Sequence, residues 1–324
     1  MGISMSSFNF KGIKIKGGNE LTLLLTYAMV CVVFTTLSPF FFSAQNFLNI
    51  GIYSAITGIT ATTTTLALII GCFDISIGGL MALTGMLTAI LIRSGVPMGL
   101  AILIAFAAGA ACGAFNGFLV SKAKVNAMIA TISTMSIFRG IAFLLNDGVS
   151  IVINDSGFKW IARGYIGPAP LLIIILLAFY FSFWYLSKYS AFGRKIYAIG
   201  ANKRASYLSG INTDKTIFLV YLLNGMVAGI SGILMASQVG AGLPSAGEGY
   251  EMTIISACIL GGTSLFGGKG SVWGSFVGIL MLTTISTGLT MLAVQTFWQQ
   301  IIKGSILILS VIIDVVRSGG YKKV

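Results

Sequence analysis

The sequence predicts an all-α fold, a polytopic membrane helical bundle of about ten transmembrane helices, within a range of eight to ten, both termini cytoplasmic. Three observations predict it. Of 324 residues, 56% are hydrophobic and only 9% charged, whereas about a quarter of the residues of a soluble domain ionise. Apolar runs of about 18–24 residues, long enough to cross a bilayer, recur along the whole chain. The cations between those runs gather on alternate segments.

Taken in order, the runs place spans near 21–40, 49–70, 76–92, 99–120, 127–145, 168–187, 216–237, 251–263, 272–293 and 297–316. The third and eighth are short or broken by glycine, which sets the lower end of the range. With the N-terminus inside, inner segments carry fifteen cations: Lys11, Lys14 and Lys16, then Lys122 and Lys124, then six between Lys188 and Lys215, then Lys269, and finally Arg317, Lys322 and Lys323. Outer segments carry three, Arg93, Lys159 and Arg163, and Arg139 and Lys303 fall inside spans. That imbalance orients the chain. The longest connections, 146–167 outside and 188–215 inside, are too short for an independent domain, so residues 1–324 read as a single membrane domain. The first apolar run follows "KGIKIKGGNE" and is long enough to remain as a span, so no secretory signal is expected.

Composition also excludes functions. A net charge of +12 would suit nucleic acid, but no polar domain exists to carry a basic face, so no nucleic-acid partner is expected. Histidine is absent, which removes imidazole chemistry. Cys31, Cys72, Cys112 and Cys258 sit singly in apolar runs without ligand spacing and read as small buried side chains. No catalytic, metal or cofactor set is expected. A membrane-embedded enzyme would need a paired carboxylate or a ligand cluster in the spans.

Four segments stand out. In "IIGCFDISIGG" (69–79) a helix must end and another begin, and lipid offers the freed backbone no partners. Asp74 followed by Ile75 and Ser76 fits an N-cap for the next helix. Its sharper reading is a cation or proton site, since an intramembrane carboxylate is functional by default. A faint echo, "ILGGTSLFGG" (259–268), agrees with a duplicated bundle. The continuation "GGTSLFGGKGS" (261–271) imitates a phosphate loop and fails on detail: Gly268 stands where Lys belongs, and Lys269 precedes Gly270 rather than Ser or Thr. It reads as a tight basic inner turn.

The inner loop 188–215 reads as two short helical turns separated by Gly200, the second with Asn202 as N-cap and Gly210 as stop. Ile196, Tyr197, Ile199, Tyr207, Leu208 and Ile211 give apolar faces, and Arg194, Lys195, Lys203 and Arg204 give charge. Two readings remain open: docking into a cytoplasmic partner, or lying on membrane lipid headgroups. Outside, "GAGLPSAGEGYEM" (240–252) is either a gate or partner contact, or a solvated turn bearing Glu248 and Glu251. Asn116, Arg139, Gln299, Gln300 and Lys303 should face the bundle, a cavity or an interface, unless Arg139 and Lys303 snorkel from span ends.

Together, "FDISIGGLMALTG" (73–85), "NGFLVSKAKVNAMIATISTMSIFRG" (116–140), "FGRKIYAIGANKRASYLSGI" (192–211), "AGEGYEMTIISACILGGTSLFGGKGS" (246–271) and "FWQQIIKG" (297–304) resemble, in order, the permeases of bacterial ABC importers for monosaccharides of the ribose, arabinose, galactose and xylose type. The stretch 124–148 looks most like the arabinose-type permeases, a weak guide to substrate. The resemblance implies a permease in the bacterial cytoplasmic (inner) membrane, paired with a second copy or a related permease. It also implies a cytoplasmic ABC ATPase and a periplasmic or lipid-anchored sugar-binding protein. Gly193, Arg194, Lys195, Gly200, Asn202, Arg204 and Gly210 would then form the segment that couples to the ATPase. Asp74, Ser76, Gly78, Asn116, Gly262 and Gly268 are the helix-break and pathway candidates. Cys72 and Ala201 stand where such permeases usually have glycine. The implied mechanism is alternating access driven by the partner. The competing mechanism is an ion-coupled secondary carrier that uses Asp74.

Overall fold

A computed structural model describes residues 19–317; Lys11, Lys14, Lys16, Lys322, Lys323 and both termini lie outside the described residues. Each expected span corresponds to a helix: α1 (Asn19–Leu37), α2 (Ala44–Ile69), α3 (Ile77–Arg93), α4 (Met98–Ser121), α5 (Ala127–Leu144), α7 (Leu171–Tyr189), α10 (Thr213–Val239), α11 (Tyr250–Leu260), α12 (Val272–Met291) and α13 (Thr296–Arg317). Six of them, α2, α4, α5, α7, α10 and α12, are long and apolar enough to cross a membrane; α1, α3, α11 and α13 carry shorter apolar stretches. Three shorter helices stand in the connections: α6 (Ser156–Arg163) between α5 and α7, and α8 (Ala191–Ala201) and α9 (Lys203–Leu208) between α7 and α10.

The fold departs from a purely helical one at two small ladders. Strand β1 (Ile151–Val152) pairs antiparallel with β4 (Ala241–Gly242), and β2 (Tyr165–Ile166) with β3 (Ala169–Pro170). They satisfy backbone groups in connections that have no helix to do so. Most of the 240–252 segment is buried or half-buried, with Ser245, Glu248, Gly249 and Met252 exposed, so it is not a plain solvated turn.

The core forms around α2, the most buried of the long helices. Its threonine run turns several hydroxyls towards neighbours: Thr60 donates to Ser231 Oγ at 2.8 Å, Thr63 to Asn224 Oδ1 at 2.7 Å and Thr65 to Ser275 Oγ at 2.6 Å. These bonds tie α2 to α10 on one side and to α12 on the other, each worth about 0.6 kcal/mol in a membrane bundle. Helices α4 and α10 approach through facing glycines, since a Cβ at Gly113 would sit 2.8 Å from the Gly225 Cα. Small residues four apart on α4, Gly109, Gly113 and Gly117, give that pair its closeness.

Candidate functional site

The first glycine-rich break is built from α2 outward. Gly71, at φ +83°, lets the helix close with Gly71 N donating to Leu68 O at 2.9 Å and Cys72 N to Ala67 O at 2.8 Å. This pairing is the usual glycine stop of a helix. The chain then runs without helix to Ser76, the N-cap of α3, whose side chain makes no cap bond. Asp74 is therefore not that N-cap, because the helix starts later than the sequence reading placed it. It holds the break instead. Its Oδ1 accepts from Ser76 N at 3.0 Å and Ser76 Oγ at 2.6 Å, and its Oδ2 accepts from Asn224 Nδ2 at 2.8 Å.

The surroundings extend this into a network. Asn116 Nδ2 donates to Ser76 Oγ at 2.8 Å, and Tyr221 Oη donates to Phe73 O at 2.7 Å. Asp74, Ser76 and Asn116, three residues singled out from the sequence, thus meet in one buried cluster. Both oxygens of Asp74 are engaged by donors of this chain, and among the described residues no cation lies within ion-pair distance of it. The break is tied to α4 through Asn116 and to α10 through Asn224 and Tyr221. Each buried polar group so satisfied avoids a cost of about 1–3 kcal/mol. Asn116 Oδ1 alone in this cluster remains a buried acceptor without a partner.

Gly78 belongs to a different locality. On its open side lie the Glu251 carboxylate, the Gly247 carbonyl and the Arg139 guanidinium. Arg139 does not snorkel from a span end: it donates to Pro244 O at 3.2 Å and Ala246 O at 2.6 Å, pinning the 240–252 segment. Glu251 is buried, with Oε2 unpartnered. Glu251 is thus a second buried carboxylate besides Asp74, because α11 starts within the protein rather than at its surface.

Gly262 and Gly268 lie in the second break, between α11 and α12, both at positive φ. The two resembling segments touch: Gly268 N donates to Ile69 O at 2.8 Å. They differ in form, since the first joins a long helix to a short one and the second a short one to a long one. Two residues reach this turn from elsewhere. Asp314 Oδ2 accepts from Leu265 N at 3.0 Å and Ser264 Oγ at 3.2 Å, and Tyr197 Oη donates to Gly270 O at 2.9 Å. Burial pushes the Tyr197 phenol above its usual pKa, so the donor stays protonated.

Segment 188–215 forms two helices, as expected, but they part at Asn202 rather than at Gly200. Asn202 Oδ1 accepts from Ala205 N at 2.9 Å, which starts α9. Gly200 lies in the last turn of α8, pressed on the Ile69 carbonyl and 2.6 Å, as a would-be Cβ, from Gly268 N. Gly193, Ile196 and Ile199 form the buried face of α8, while Arg194 and Lys195 are exposed. Gly193 seats that helix on the end of α7, over the Ser187 and Leu186 carbonyls. On α9, Arg204, Tyr207 and Leu208 are exposed, and Gly210 follows at φ +81°. The free faces of α8 and α9 thus pair charge with apolar area, and the buried face of α8 rests on both glycine breaks at once.

Asn224, Tyr221, Tyr197 and Asp314 complete these sites without having been assigned to them from the sequence. Asn224 had a signal, as a lone amide in the apolar run 216–237. Asp314 had one too, as a lone carboxylate in the apolar run 297–316, whereas Tyr221 and Tyr197 had none for these contacts, since their partners are 73 or more positions away.

The sequence profile of the family described as "Branched-chain amino acid transport system / permease component" matches residues 46–311. The chain is 35% identical over 308 residues to the ribose import permease protein of Bacillus subtilis, covering 94% of each. It is 35% identical to the D-allose transport system permease protein of Escherichia coli, covering 89% of each. It is 33% identical to the L-arabinose transport system permease protein of Escherichia coli, covering 97% of this chain and 94% of that one. No solved structure matches.

Proposed function

The chain belongs to the family of branched-chain amino acid transport system permease components, and from that premise we propose that it moves a monosaccharide inward by alternating access under the action of a separate ATPase. It is a multi-pass membrane protein and the permease component of a sugar ABC importer, a transport subunit rather than an enzyme. In this reading ten helices cross the bacterial inner membrane and both termini are cytoplasmic. A cytoplasmic ATPase hydrolyses ATP, a periplasmic or lipid-anchored protein delivers the sugar, and a second permease copy or a related chain completes the pathway.

One observation carries the mechanism. Gly200 of α8 lies on the Ile69 carbonyl, where α2 ends, and beside Gly268, where the α11–α12 turn begins to close. A partner gripping Arg194 and Lys195 on the exposed face of α8 would therefore push on both breaks through a backbone contact with no side chain to yield. The first break carries that displacement through Asp74 and Asn224 to α10, and the second carries it through Asp314 to α13. In this reading Arg139, bonded to the Ala246 carbonyl, and Glu251, beside Gly78, would serve as the opposite gate.

Gly200→Val tests this in the complete importer. The branched side chain must displace the Ile69 carbonyl, so α8 stands off both breaks. ATP hydrolysis should persist while sugar uptake falls at least about tenfold, a change of about 1.4 kcal/mol in coupling. Uptake at the wild-type rate in a stably inserted variant removes the contact from the mechanism.

A further inference from the structure

A cleft of about 900 Å³ opens on the inner side between the α4–α5 turn, α9 and the first turn of α10. Lys122 and Lys124 line it from one side, Lys203, Arg204 and Tyr207 from another, and Asp214 from the third. Asp214 Oδ1 is 2.6 Å from Lys124 Nζ, which leaves Lys122, Lys203 and Arg204 without a carboxylate partner among the described residues. All four cations are exposed. The cleft is thus an uncompensated concentration of positive charge, walled on one side by an exposed tyrosine ring.

Its position narrows the ligand. Phe118 precedes Lys122 by one helical turn, and Val125, Met128, Ile129 and Ile132 follow Lys124; all five are exposed and apolar. The charge therefore sits where the inner segments meet the apolar belt of α4 and α5. An anion bound there would have an apolar surface directly beneath it. A soluble anion has no use for that surface, and an acidic protein segment on the cytoplasmic side would leave it uncovered. A molecule with an anionic head and hydrocarbon tails fits both parts.

We propose that this cleft is a binding site for the phosphate headgroup of an anionic phospholipid of the inner leaflet, whose acyl chains run along the exposed face of α5. The proposal rests on the inside placement of the 188–215 segment but not on the transport reading. Tyr207 would lie at the headgroup level, where amphipathic rings are favoured. Because the cleft shares α9 with the coupling segment, a lipid seated there would brace α9 against the end of α4.

The test uses the complete importer, this chain with its ATPase and binding protein, reconstituted in an equal mixture of phosphatidylglycerol and phosphatidylethanolamine. The importer is then extracted in detergent, purified, and its retained lipid measured by mass spectrometry. Wild type should retain phosphatidylglycerol in preference to phosphatidylethanolamine, and millimolar inorganic phosphate should not displace it. Lys122→Gln with Lys124→Gln should lower that retention roughly tenfold, and Lys122→Arg with Lys124→Arg should restore it. Equal retention of the two lipids, unchanged retention in the glutamine variant, or loss in the arginine variant as well overturns the site. So does displacement by phosphate, which points to a soluble anion. Release of the ATPase from the glutamine variant with lipid retention unchanged also overturns it, assigning the cleft to an acidic protein surface. None of these readouts depends on transport.

Discussion

At the scale of the residue, Asp74 is held by what it accepts, not by a countercharge. Replacing it by Asn keeps an acceptor for the Ser76 N–H and hydroxyl. The facing Asn224 amide can then turn over, because Thr63 and Thr64 can accept where they now donate. Asp74→Asn should therefore insert, purify as a single species and support uptake within about threefold of wild type, under half a decade. Asp74→Leu strands the Ser76 N–H and the Asn224 amide, at about 1–3 kcal/mol each. It should lower the thermal midpoint of the purified chain and reduce the folded yield. An Asn variant that folds but transports nothing would return the charge itself to the mechanism. Tyr197 gives a second test at this scale. Tyr197→Phe removes one hydrogen bond to Gly270 O, worth about 1 kcal/mol, so the thermal midpoint should barely move. The sugar imported per ATP hydrolysed should fall, because α8 loses a fixed point on the turn. Asp74 was visible in the sequence as a lone carboxylate, but its role was not. An N-cap and a residue that braces the break look alike until the helix boundary is known.

Among elements, the long helices were legible because each is an apolar run of spanning length, and period and length are local properties. The helix boundaries at the breaks were less so. Ile75 and Ser76 could have begun α3, but Ser76 is bonded to Asp74 and to Asn116 of α4, and Asp74 in turn to Asn224 of α10. The same holds for the parting of α8 and α9. Gly200 read as a breaker by type, yet its lack of a side chain serves a close approach to Ile69 and Gly268 within the helix. The packing of α4 on α10 makes a prediction of its own. A Cβ at Gly113 would fall 2.6 Å from the Tyr221 carbonyl, whereas one at Gly140 on α5 meets nothing within 4 Å. Gly113→Leu should therefore destabilise the bundle by several kcal/mol, of the order of overpacking a core or more, and Gly140→Ala should be neutral. Thermal unfolding of the two variants in one detergent separates them. Equal midpoints would mean that the α4–α10 contact is not a tight one.

For the molecule as a whole, two glycine breaks meet under one helix, α8, and the proposed function sends the work of a separate ATPase through that contact. Composition announced the membrane class, and the ordered motifs announced the family. What the sequence did not carry was the meeting of the two breaks under Gly200, because residues 69, 200 and 268 come together only in the folded chain. The measurement that tests this account most directly is sugar accumulation in proteoliposomes of the purified chain, compared with the complete importer. The account predicts no uphill accumulation by the chain alone under any ion gradient. It also predicts accumulation when the ATPase, ATP and binding protein are present, lost on Arg194→Glu with Lys195→Glu while the chain remains folded. Uphill accumulation by the chain alone, driven by a proton or sodium gradient, would contradict it.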